Sequence, residues 1–227
     1  MERTYGPLYG RLTSSVLEEL DVHLDGPASI VDFGAGCGRL TLPLASAGHR
    51  VVAVEPSAGM RTQLREQVAR LPGTASQRVR ILGSRMRDVV EQDHDVALCV
   101  FTVLAYILDE EELEASLSAA ARSLRRGGLF LLDVPSESLF QSFDHDDAIM
   151  IRHVEIEPLD AFRYTYREHT TLRTPGGIVS YEDAFALRRW STDQILSGLR
   201  RSGFRQRADV SERFEGLGAE YLLMERT

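Results

Sequence analysis

The sequence contains no lysine, so all 26 of its basic residues are arginines, and they are outnumbered by 34 aspartates and glutamates. The formal net charge is −8 and the sequence pI is about 5.3. A field of this sign repels polyanions over the surface as a whole. We therefore expect no nucleic-acid partner.

Cysteine is scarce, with only Cys37 and Cys99, and both lie in apolar segments. Such thiols fit reduced, buried side chains better than a disulfide framework. The longest apolar stretch, Val96 to Leu108, has 13 residues, whereas a membrane-spanning helix needs roughly 18–20. The first residues show no apolar segment of the kind found in signal peptides. These features predict a cytoplasmic protein without a membrane partner.

Several catalytic motifs are also missing. The sequence has no Cys-x-x-Cys pair and no G-x-S-x-G motif, which argues against a redox dithiol or a hydrolase of that class. The run Asp144-His145-Asp146-Asp147 consists of adjacent residues and lacks the spacing of a metal site. We therefore expect no metal.

Between residues 28 and 135, short apolar runs alternate with helix-length segments, which predicts βαβ units and a parallel sheet with helices on both faces. The predicted strands are Ser29–Phe33, Arg50–Glu55, Arg78–Leu82, Asp95–Phe101 and Leu129–Val134. The predicted helices are Thr13–Leu24, Arg39–Ala47, Ala58–Arg70 and Glu110–Leu124. A chain of 227 residues is expected to form one domain.

The pattern changes after this core. Residues 148–190 alternate with a period of two around Pro175-Gly176-Gly177, which predicts an antiparallel hairpin insertion that covers the substrate or contacts a second subunit. Residues 191–227 predict a last helix ending at Ser202, followed by the strands Phe204–Val210 and Ala219–Glu225.

The strongest motif is D-x-G-x-G-x-G, formed by Asp32, Gly34, Gly36 and Gly38 at a strand-to-helix turn. Glycines there let the backbone approach a ligand closely, and the helix that follows presents free N–H groups. The dinucleotide pattern G-x-G-x-x-G needs a third glycine where this chain has Arg39. A nicotinamide-dependent oxidoreductase is thus kept only as an alternative.

A second signal is Glu55, which ends the next predicted strand 17 positions after Gly38. A carboxylate at that strand end is suited to accept hydrogen bonds from both hydroxyls of a ribose. The alternative is that Glu55 only caps the following helix, near Ser57.

The chain at this point resembles the class I S-adenosylmethionine-dependent methyltransferases. The matching segments are Asp32–Gly38, Glu55–Met60, Arg125–Leu129, Arg189–Thr192 and Leu199–Phe204. The resemblance spans nearly the whole chain. It implies a Rossmann-like α/β fold with a seven-stranded, mostly parallel sheet and an antiparallel last strand. It also implies that S-adenosylmethionine lies across the carboxyl ends of strands one to four.

The resemblance implies specific cofactor contacts. The three glycines would pass close to the methionine and ribose parts, Asp32 would reach the amino group through water, and Glu55 would hold the ribose. Met60 would pack on the adenine, although it is equally suited to fill the core. The implied cofactor-binding residues are Asp32, Gly34, Ala35, Gly36, Gly38, Glu55, Pro56, Met60, Ser84, Met86 and Phe101.

One departure from the family concerns the adenine. The family usually has a Gly-Asp pair after strand three, where this chain has Gly83-Ser84, followed by a solvent-facing Arg85. The Ser84 hydroxyl, the backbone N–H of Met86 or the carboxylate of Asp88 are the alternatives for reading the ring.

The acceptor side is predicted from position. The sequence lacks the Asn/Asp-Pro-Pro-Tyr/Phe motif of nucleobase and glutamine methyltransferases, which disfavours those acceptors. The predicted catalytic residues are Tyr9, Tyr106 and His169, and His153 is a second candidate base. The predicted substrate-binding residues are Tyr5, Thr102, Tyr164, Tyr166, Arg188 and Trp190. The alternative for the aromatic residues is packing in the core.

Together these features predict methyl transfer to a small molecule. No histidine occupies a convincing position for a general base, and a hydroxyl acceptor needs such a base more than an amine does. A nitrogen acceptor is therefore favoured over oxygen, and the tyrosine-containing N-terminal segment is similar to that of amino-sugar N-methyltransferases. A non-catalytic cofactor-binding module is the alternative, and a homodimer is a further expectation.

Overall fold

The structure, a computed structural model, describes residues 6–174, 176–214 and 218–227, with the backbone alone for residues 6–9 and 209. The strands are β1 Ser29–Phe33, β2 Arg50–Val54, β3 Val79–Leu82, β4 His94–Cys99, β5 Leu124–Pro135, β6 Phe143–Asp146, β7 Met150–Pro158, β8 Arg163–Thr174, β9 Gly177–Arg188, β10 Phe204–Asp209 and β11 Ala219–Arg226. The helices are α1 Gly6–His23, α2 Thr41–Ser46, α3 Ala58–Ala69, α4 Glu110–Ser123 and α5 Thr192–Arg201. Within the described residues, no helix is both long and apolar enough to cross a membrane.

The main sheet has the strand order β10-β11-β5-β4-β1-β2-β3. β1 pairs in parallel with β2 and β4, and parallel pairing continues from β2 to β3 and from β4 to β5. β11 runs antiparallel to both of its neighbours, β5 and β10. The predicted Rossmann-like sheet, seven-stranded and mostly parallel with an antiparallel last strand, is thus confirmed.

Apolar layers cover both faces of this sheet. Because successive strand residues point to opposite faces, Val31 packs in the layer that contains α4 and α5, whereas Ile30 packs in the layer that contains α1 and α2. Helices α3, α4 and α5 begin at polar side-chain caps; at α4 the Asp109 carboxylate accepts from the backbone N–H of Glu112 at 2.7 Å. Burial on both faces explains the nearly continuous apolar runs of the central strands.

Some predicted boundaries move because the turns hold more residues than the sequence suggested. α2 begins at Thr41 rather than Arg39, since residues 37–40 are still in the turn. β4 ends at Cys99 rather than Phe101, because Phe101 and Thr102 both have left-handed φ angles, 68° and 66°. These two changes fall at the ends of strands, where the candidate site is built.

The predicted insertion is a separate antiparallel sheet of four strands in the order β6-β7-β8-β9. It begins at Phe143, five residues before the predicted bound of 148, because β6 adds an edge strand. β8 and β9 pair along their whole length, from Arg163 with Arg188 to Thr174 with Gly177. Of the predicted Pro-Gly-Gly turn, Pro175 lies outside the described residues.

A largely buried ion pair lies on the inner side of this second sheet. The Arg152 guanidinium donates to both carboxylate oxygens of Glu168 at 2.8 Å. The hydroxyls of Tyr166 and Thr170 also donate to Glu168, each at 2.6 Å. With Arg152 about 12% and Glu168 about 10% exposed, these groups depend on one another for hydrogen bonding.

Glu168→Ala should therefore lower the free energy of unfolding by about 2 kcal/mol, because it leaves a largely buried guanidinium without its carboxylate. Glu155→Ala is the matched control, since Glu155 pairs with Arg167 on the exposed face of the same sheet and such pairs contribute about 0–1 kcal/mol. Urea unfolding followed by circular dichroism measures both variants. Equal losses in the two variants would contradict the role given to the Arg152–Glu168 pair.

Candidate active site

A cleft of about 1540 Å³ lies at the carboxyl ends of the main-sheet strands. Its lining includes Gly34 after β1, Glu55 after β2, Phe101 after β4 and Asp133 near the end of β5. Open α/β sheets bind ligands at this edge, because the loops that follow neighbouring parallel strands meet there. The cleft is therefore the candidate active site.

The second sheet forms one wall of the cleft. Its lining residues on β8 and β9 are Leu172, Arg173, Thr174, Asp183 and Phe185. Helix α1 adds Leu12 and Thr13 at another side. A ligand in this cleft would thus touch the strand ends, the N-terminal helix and the second sheet together.

In the glycine loop, Gly34 and Gly38 are tightly packed, whereas Gly36 between them has open space beside it. Gly34 and Gly38 have positive φ angles of 73° and 100°. A Cβ at Gly34 would lie 2.4 Å from a methyl of Val103, and one at Gly38 would lie 2.6 Å from a methyl of Leu64. At Gly36 the nearest atom to an added Cβ is 3.9 Å away. Side chains at the outer two glycines would clash, whereas one at Gly36 would fill cleft space.

Glu55 lies at the cleft and is nearly buried, with about 5% exposure. One carboxylate oxygen accepts from the backbone N–H of Gly36 at 2.9 Å, and the other accepts from that of Ser57 at 2.7 Å. Ser57 is the N-cap of α3, so Glu55 supports the start of that helix and also lines the cleft. The two sequence interpretations of Glu55 are therefore compatible.

The residues after Glu55 continue the lining. Pro56 and Met60 face the cleft, as does Ala35 from the glycine loop. Met60 is about 39% exposed, so the alternative that it fills the core is wrong. A thioether at the cleft edge offers a polarisable contact for a flat ring.

Asp32 does not line the cleft, although the sequence analysis predicted a cofactor contact. Its carboxylate accepts from the Thr41 hydroxyl at 2.6 Å, which joins β1 to the start of α2. Burial raises the pKa of the Asp32 carboxyl to about 6, against the lowering effect of that hydrogen bond. Asp32 thus joins the strand that precedes the glycine loop to the helix that follows it.

The structure distinguishes between the residues near β3 that were predicted as alternative adenine contacts. Met86 lines the cleft, whereas Ser84 and Asp88 do not. The Ser84 hydroxyl is buried and has no hydrogen-bond partner among the described residues. Arg85 was expected to face solvent; it does so in part, but it also lines the cleft and pairs with Glu112 at 3.2 Å.

A left-handed turn follows β4. Phe101 and Thr102 hold positive φ angles, a conformation that costs about 1–3 kcal/mol per residue and requires surrounding support. The Thr102 N–H donates to both carboxylate oxygens of Asp133, at 2.9 and 3.2 Å. The Thr102 hydroxyl donates to the Phe101 carbonyl at 2.6 Å, and the Arg39 guanidinium lies 4.6 Å from the Phe101 ring centre. Both turn residues line the cleft, so the cofactor contact of Phe101 and the acceptor contact of Thr102 stay predictions.

Asp133 is the main site residue that was not predicted from the sequence. It lines the cleft yet is only about 1% exposed. Burial raises the pKa of its carboxyl to about 7, against the lowering effect of the Thr102 and Phe101 amides. The available signal was one acidic residue inside the apolar run 129–134, since an unpaired acid in a buried strand is costly without a specific use.

Among the predicted acceptor residues whose side chains the structure describes, Tyr106 is the aromatic residue that lies in the cleft. It is about 54% exposed, and its ring centre lies 5.2 Å from that of Phe185 in the cleft wall. The alternative that Tyr106 is a core aromatic is therefore wrong. The Tyr106–Phe185 pair joins the loop after β4 to the second sheet.

Tyr164 and Tyr166 do not line the cleft, which corrects their assignment as substrate-binding residues. The Tyr164 ring packs against Phe140, with ring centres 5.0 Å apart. The Tyr166 ring stacks on Phe185 at 4.5 Å, and its hydroxyl belongs to the buried Arg152–Glu168 network. These rings form the small core that supports the cleft wall.

Arg188 and Trp190 also have structural contacts instead of cleft contacts. The Trp190 indole N–H is 3.1 Å from the carbonyls of both Leu104 and Ile107. The Arg188 guanidinium stacks 3.7 Å from the Trp190 ring centre and donates to the Leu108 carbonyl at 3.0 Å. Because both side chains are committed to the loop after β4, their assignment as acceptor contacts is wrong.

His169 is not at the cleft, so the structure contradicts its assignment as a catalytic base. It lies on the outer face of the second sheet and contacts Glu182 at 3.2 Å; His153, on the same face, contacts Asp144. Tyr5 lies outside the described residues, and Tyr9 is described only as backbone in α1. In the described part of the chain, no three His, Cys, Asp or Glu side chains are grouped to hold a metal ion.

Comparison with known proteins shows what the core of the main sheet is similar to. Residues 30–128 match the family model of a methyltransferase domain, which contains the glycine loop, Glu55 and the Phe101–Thr102 turn. The predicted resemblance to class I methyltransferases is thereby confirmed. A search of curated proteins gave no match.

Solved structures with the same fold span almost the whole chain. A methyltransferase from Clostridium acetobutylicum ATCC 824, described as S-adenosylmethionine-dependent, is 17% identical, with a TM-score of 0.80 and coverage of 96% of this chain and 92% of that one. An amino pentose methyltransferase from Micromonospora echinaspora, with bound SAM, is 19% identical, with a TM-score of 0.77 and coverage of 99% and 94%. A sugar N-methyltransferase from Streptoalloteichus sp ATCC 53650 is 18% identical, with a TM-score of 0.75 and coverage of 99% and 90%. At these identities the likeness establishes a shared fold.

The raised pKa of Asp133 predicts a pH-dependent difference in stability. Because this carboxyl ionises near 3.8 in its ordinary state and near 7 when folded, the unfolded chain loses the proton first, and rising pH lowers the free energy of unfolding across that interval. Asp133→Asn keeps a carbonyl acceptor for Thr102 and removes the titration. Relative to wild type, the variant should gain stability from about pH 4 to pH 7, with no further gain above.

Urea unfolding at several pH values between 5 and 8 measures this difference. The other titrating groups, Asp32 among them, are present in both proteins, so their contributions cancel in the comparison. Parallel stability curves for the two proteins would show that Asp133 does not titrate in this way.

Proposed function

We propose that the protein is an S-adenosylmethionine-dependent methyltransferase that acts on a small molecule, with an amine nitrogen as the acceptor atom. The observation that supports this most is the cleft in which the glycine loop, Glu55 and the β4 turn meet at adjacent strand ends. The match of residues 30–128 to a methyltransferase domain favours this function over the oxidoreductase alternative.

The residues at these strand ends suit the methyl donor. Backbone at Gly36 leaves open space that a Cβ would fill, and the Glu55 carboxylate is available to accept from ribose hydroxyls. Met60 and Met86 offer apolar surface for the adenine. S-adenosylmethionine supplies an electrophilic methyl group on a sulfonium, so the protein's work is to align donor and acceptor and to exclude water.

The acceptor would lie between the strand ends and the second sheet. Tyr106 and Phe185 provide an aromatic wall there, and Thr102 borders the same space. No histidine lines the cleft in the part of the chain that the structure describes. An amine needs only loss of a proton and alignment, whereas a hydroxyl usually needs a general base, and this supports the nitrogen acceptor.

The role of the N-terminal tyrosines as a lid and the assembly into a homodimer are predictions from the sequence. Tyr5 and Tyr9 precede the cleft-lining part of α1 and would form a lid that excludes water. A homodimer through the second sheet is the corresponding expectation for assembly.

Donor binding is the first test. Titration calorimetry should give a micromolar Kd for S-adenosylmethionine and no binding of NAD. Glu55→Ala should weaken binding by about tenfold or more, because hydrogen bonds to a charged group contribute about 1.5–3 kcal/mol. Glu66→Ala is the matched control, since Glu66 is exposed on α3 and does not line the cleft, and it should bind like wild type.

The calorimetric result separates the alternatives. A folded protein that binds no S-adenosylmethionine would end the methyltransferase proposal. Binding without transfer to any acceptor would favour the non-catalytic module instead.

The acceptor class is tested with matched compounds. With S-adenosylmethionine labelled in its methyl group, a panel of amines and their hydroxyl analogues should show transfer to amines, with the rate rising as the amine loses its proton. Tyr106→Ala should reduce kcat/KM for the amine while leaving the Kd of the donor within about twofold. Preferential labelling of the hydroxyl compounds would overturn the nitrogen assignment.

A further inference from the structure

Asp133 is a buried carboxyl that faces the cleft without a cationic partner. It is only about 1% exposed and still lines the cleft. Among the described residues it forms no ion pair, although most exposed carboxylates of the second sheet pair with arginine or histidine. An ionised carboxyl in such surroundings is costly unless a charge of opposite sign is close.

The groups around Asp133 stabilise its charge only in part. The backbone amides of Phe101 and Thr102 donate toward it, which is typical of a small anion-binding turn. Amides provide partial charges, and burial still raises the pKa of Asp133 to about 7. The protein therefore balances the negative charge of the ionised carboxylate only in part, and a ligand with a full positive charge would balance it.

The titratable neighbours on the adjoining strands do not supply that charge. Burial raises the pKa of the Cys99 thiol on β4 well above its usual value, and the charges of Asp133 and Asp32 raise it further. Tyr221 on β11 lies directly opposite Asp133 in the strand register. Asp32 on β1 is acidic and bonded to Thr41, while the Arg39 guanidinium lies over the ring of Phe101.

We propose that Asp133 is the counter-ion for a cation bound in the cleft, namely the sulfonium of S-adenosylmethionine, and that through it the protein distinguishes the charged methyl donor from the neutral S-adenosylhomocysteine left after transfer. This inference rests on the proposed function. According to this inference, one buried carboxyl makes the protein bind the donor more tightly than the product.

The preference has a measurable consequence. A nearby positive charge favours the ionised carboxyl, so binding of the cation and loss of the Asp133 proton must promote each other. The affinity for the donor should therefore rise relative to that for the product as pH increases toward neutrality. If the sulfonium lowers the pKa of the carboxyl by about one unit, the ratio of the two affinities changes about tenfold in total.

The experiment measures Kd by calorimetry at several pH values from 5 to 7.5 for three compounds. These are S-adenosylmethionine, S-adenosylhomocysteine and sinefungin, which has an ammonium-bearing carbon in place of the sulfonium. In wild type, the two cationic compounds should gain affinity over S-adenosylhomocysteine by about tenfold across this range. They should also release protons on binding, measured in buffers of different ionisation enthalpy.

The Asp133→Asn variant is the reference for wild type. Any pH dependence that comes from ionisation of the compounds themselves is present in both proteins, so the difference between the proteins reports on Asp133. The variant should bind S-adenosylhomocysteine within about twofold of wild type and should lose both the pH-dependent gain and the extra proton release. Asp183→Asn is the matched control, because Asp183 also lines the cleft but is exposed; it should keep the pH-dependent gain.

The outcomes separate this inference from the proposed function. If none of the three compounds binds the folded wild-type protein, the proposed function fails. If all bind but their affinity ratios are independent of pH in wild type, the counter-ion role is overturned while the function stands; this arm requires no variant to fold. Loss of the effect in Asp183→Asn instead of Asp133→Asn would assign the role to the exposed carboxylate.

Discussion

The site depends on how the loop after β1 is bonded to the end of β2. The Val54 carbonyl accepts from the backbone N–H groups of both Gly34 and Ala35, at 2.8 and 3.1 Å, and the Glu55 carboxylate accepts from that of Gly36 at 2.9 Å. These three bonds require left-handed backbone at the glycines, which side chains would oppose. They hold two neighbouring strand ends together, and the cleft opens where those ends meet the loop after β4.

The second sheet is attached to that same loop. The Trp190 indole and the Arg188 guanidinium donate to the carbonyls of Leu104, Ile107 and Leu108. Tyr106, within this loop, contacts Phe185 on β9. The cleft wall and the loop after β4 are thus joined by these side chains, so substitution of Trp190 or Arg188 is expected to affect the turn that Asp133 holds.

The parallel sheet and the glycine loop were predictable because their signals are local. Apolar runs, turn glycines and a strand-end acid each report on a few neighbouring residues. The roles of Tyr166 and Trp190 were not predictable, because alternation separates two faces of a strand without showing what each face contacts. The Phe101–Thr102 turn was missed because residues with side chains rarely adopt left-handed backbone, and its cause, Asp133, lies 31 positions away from Thr102.

The strand order also constrains how the molecule is made. β11 lies between β5 and β10, so both neighbours leave the ribosome before the strand that joins them. Until residues 219–226 are available, β5 has an unpaired edge, and such edges promote association between nascent chains. The edge of β5 is therefore paired only after the chain has been made as far as residues 219–226.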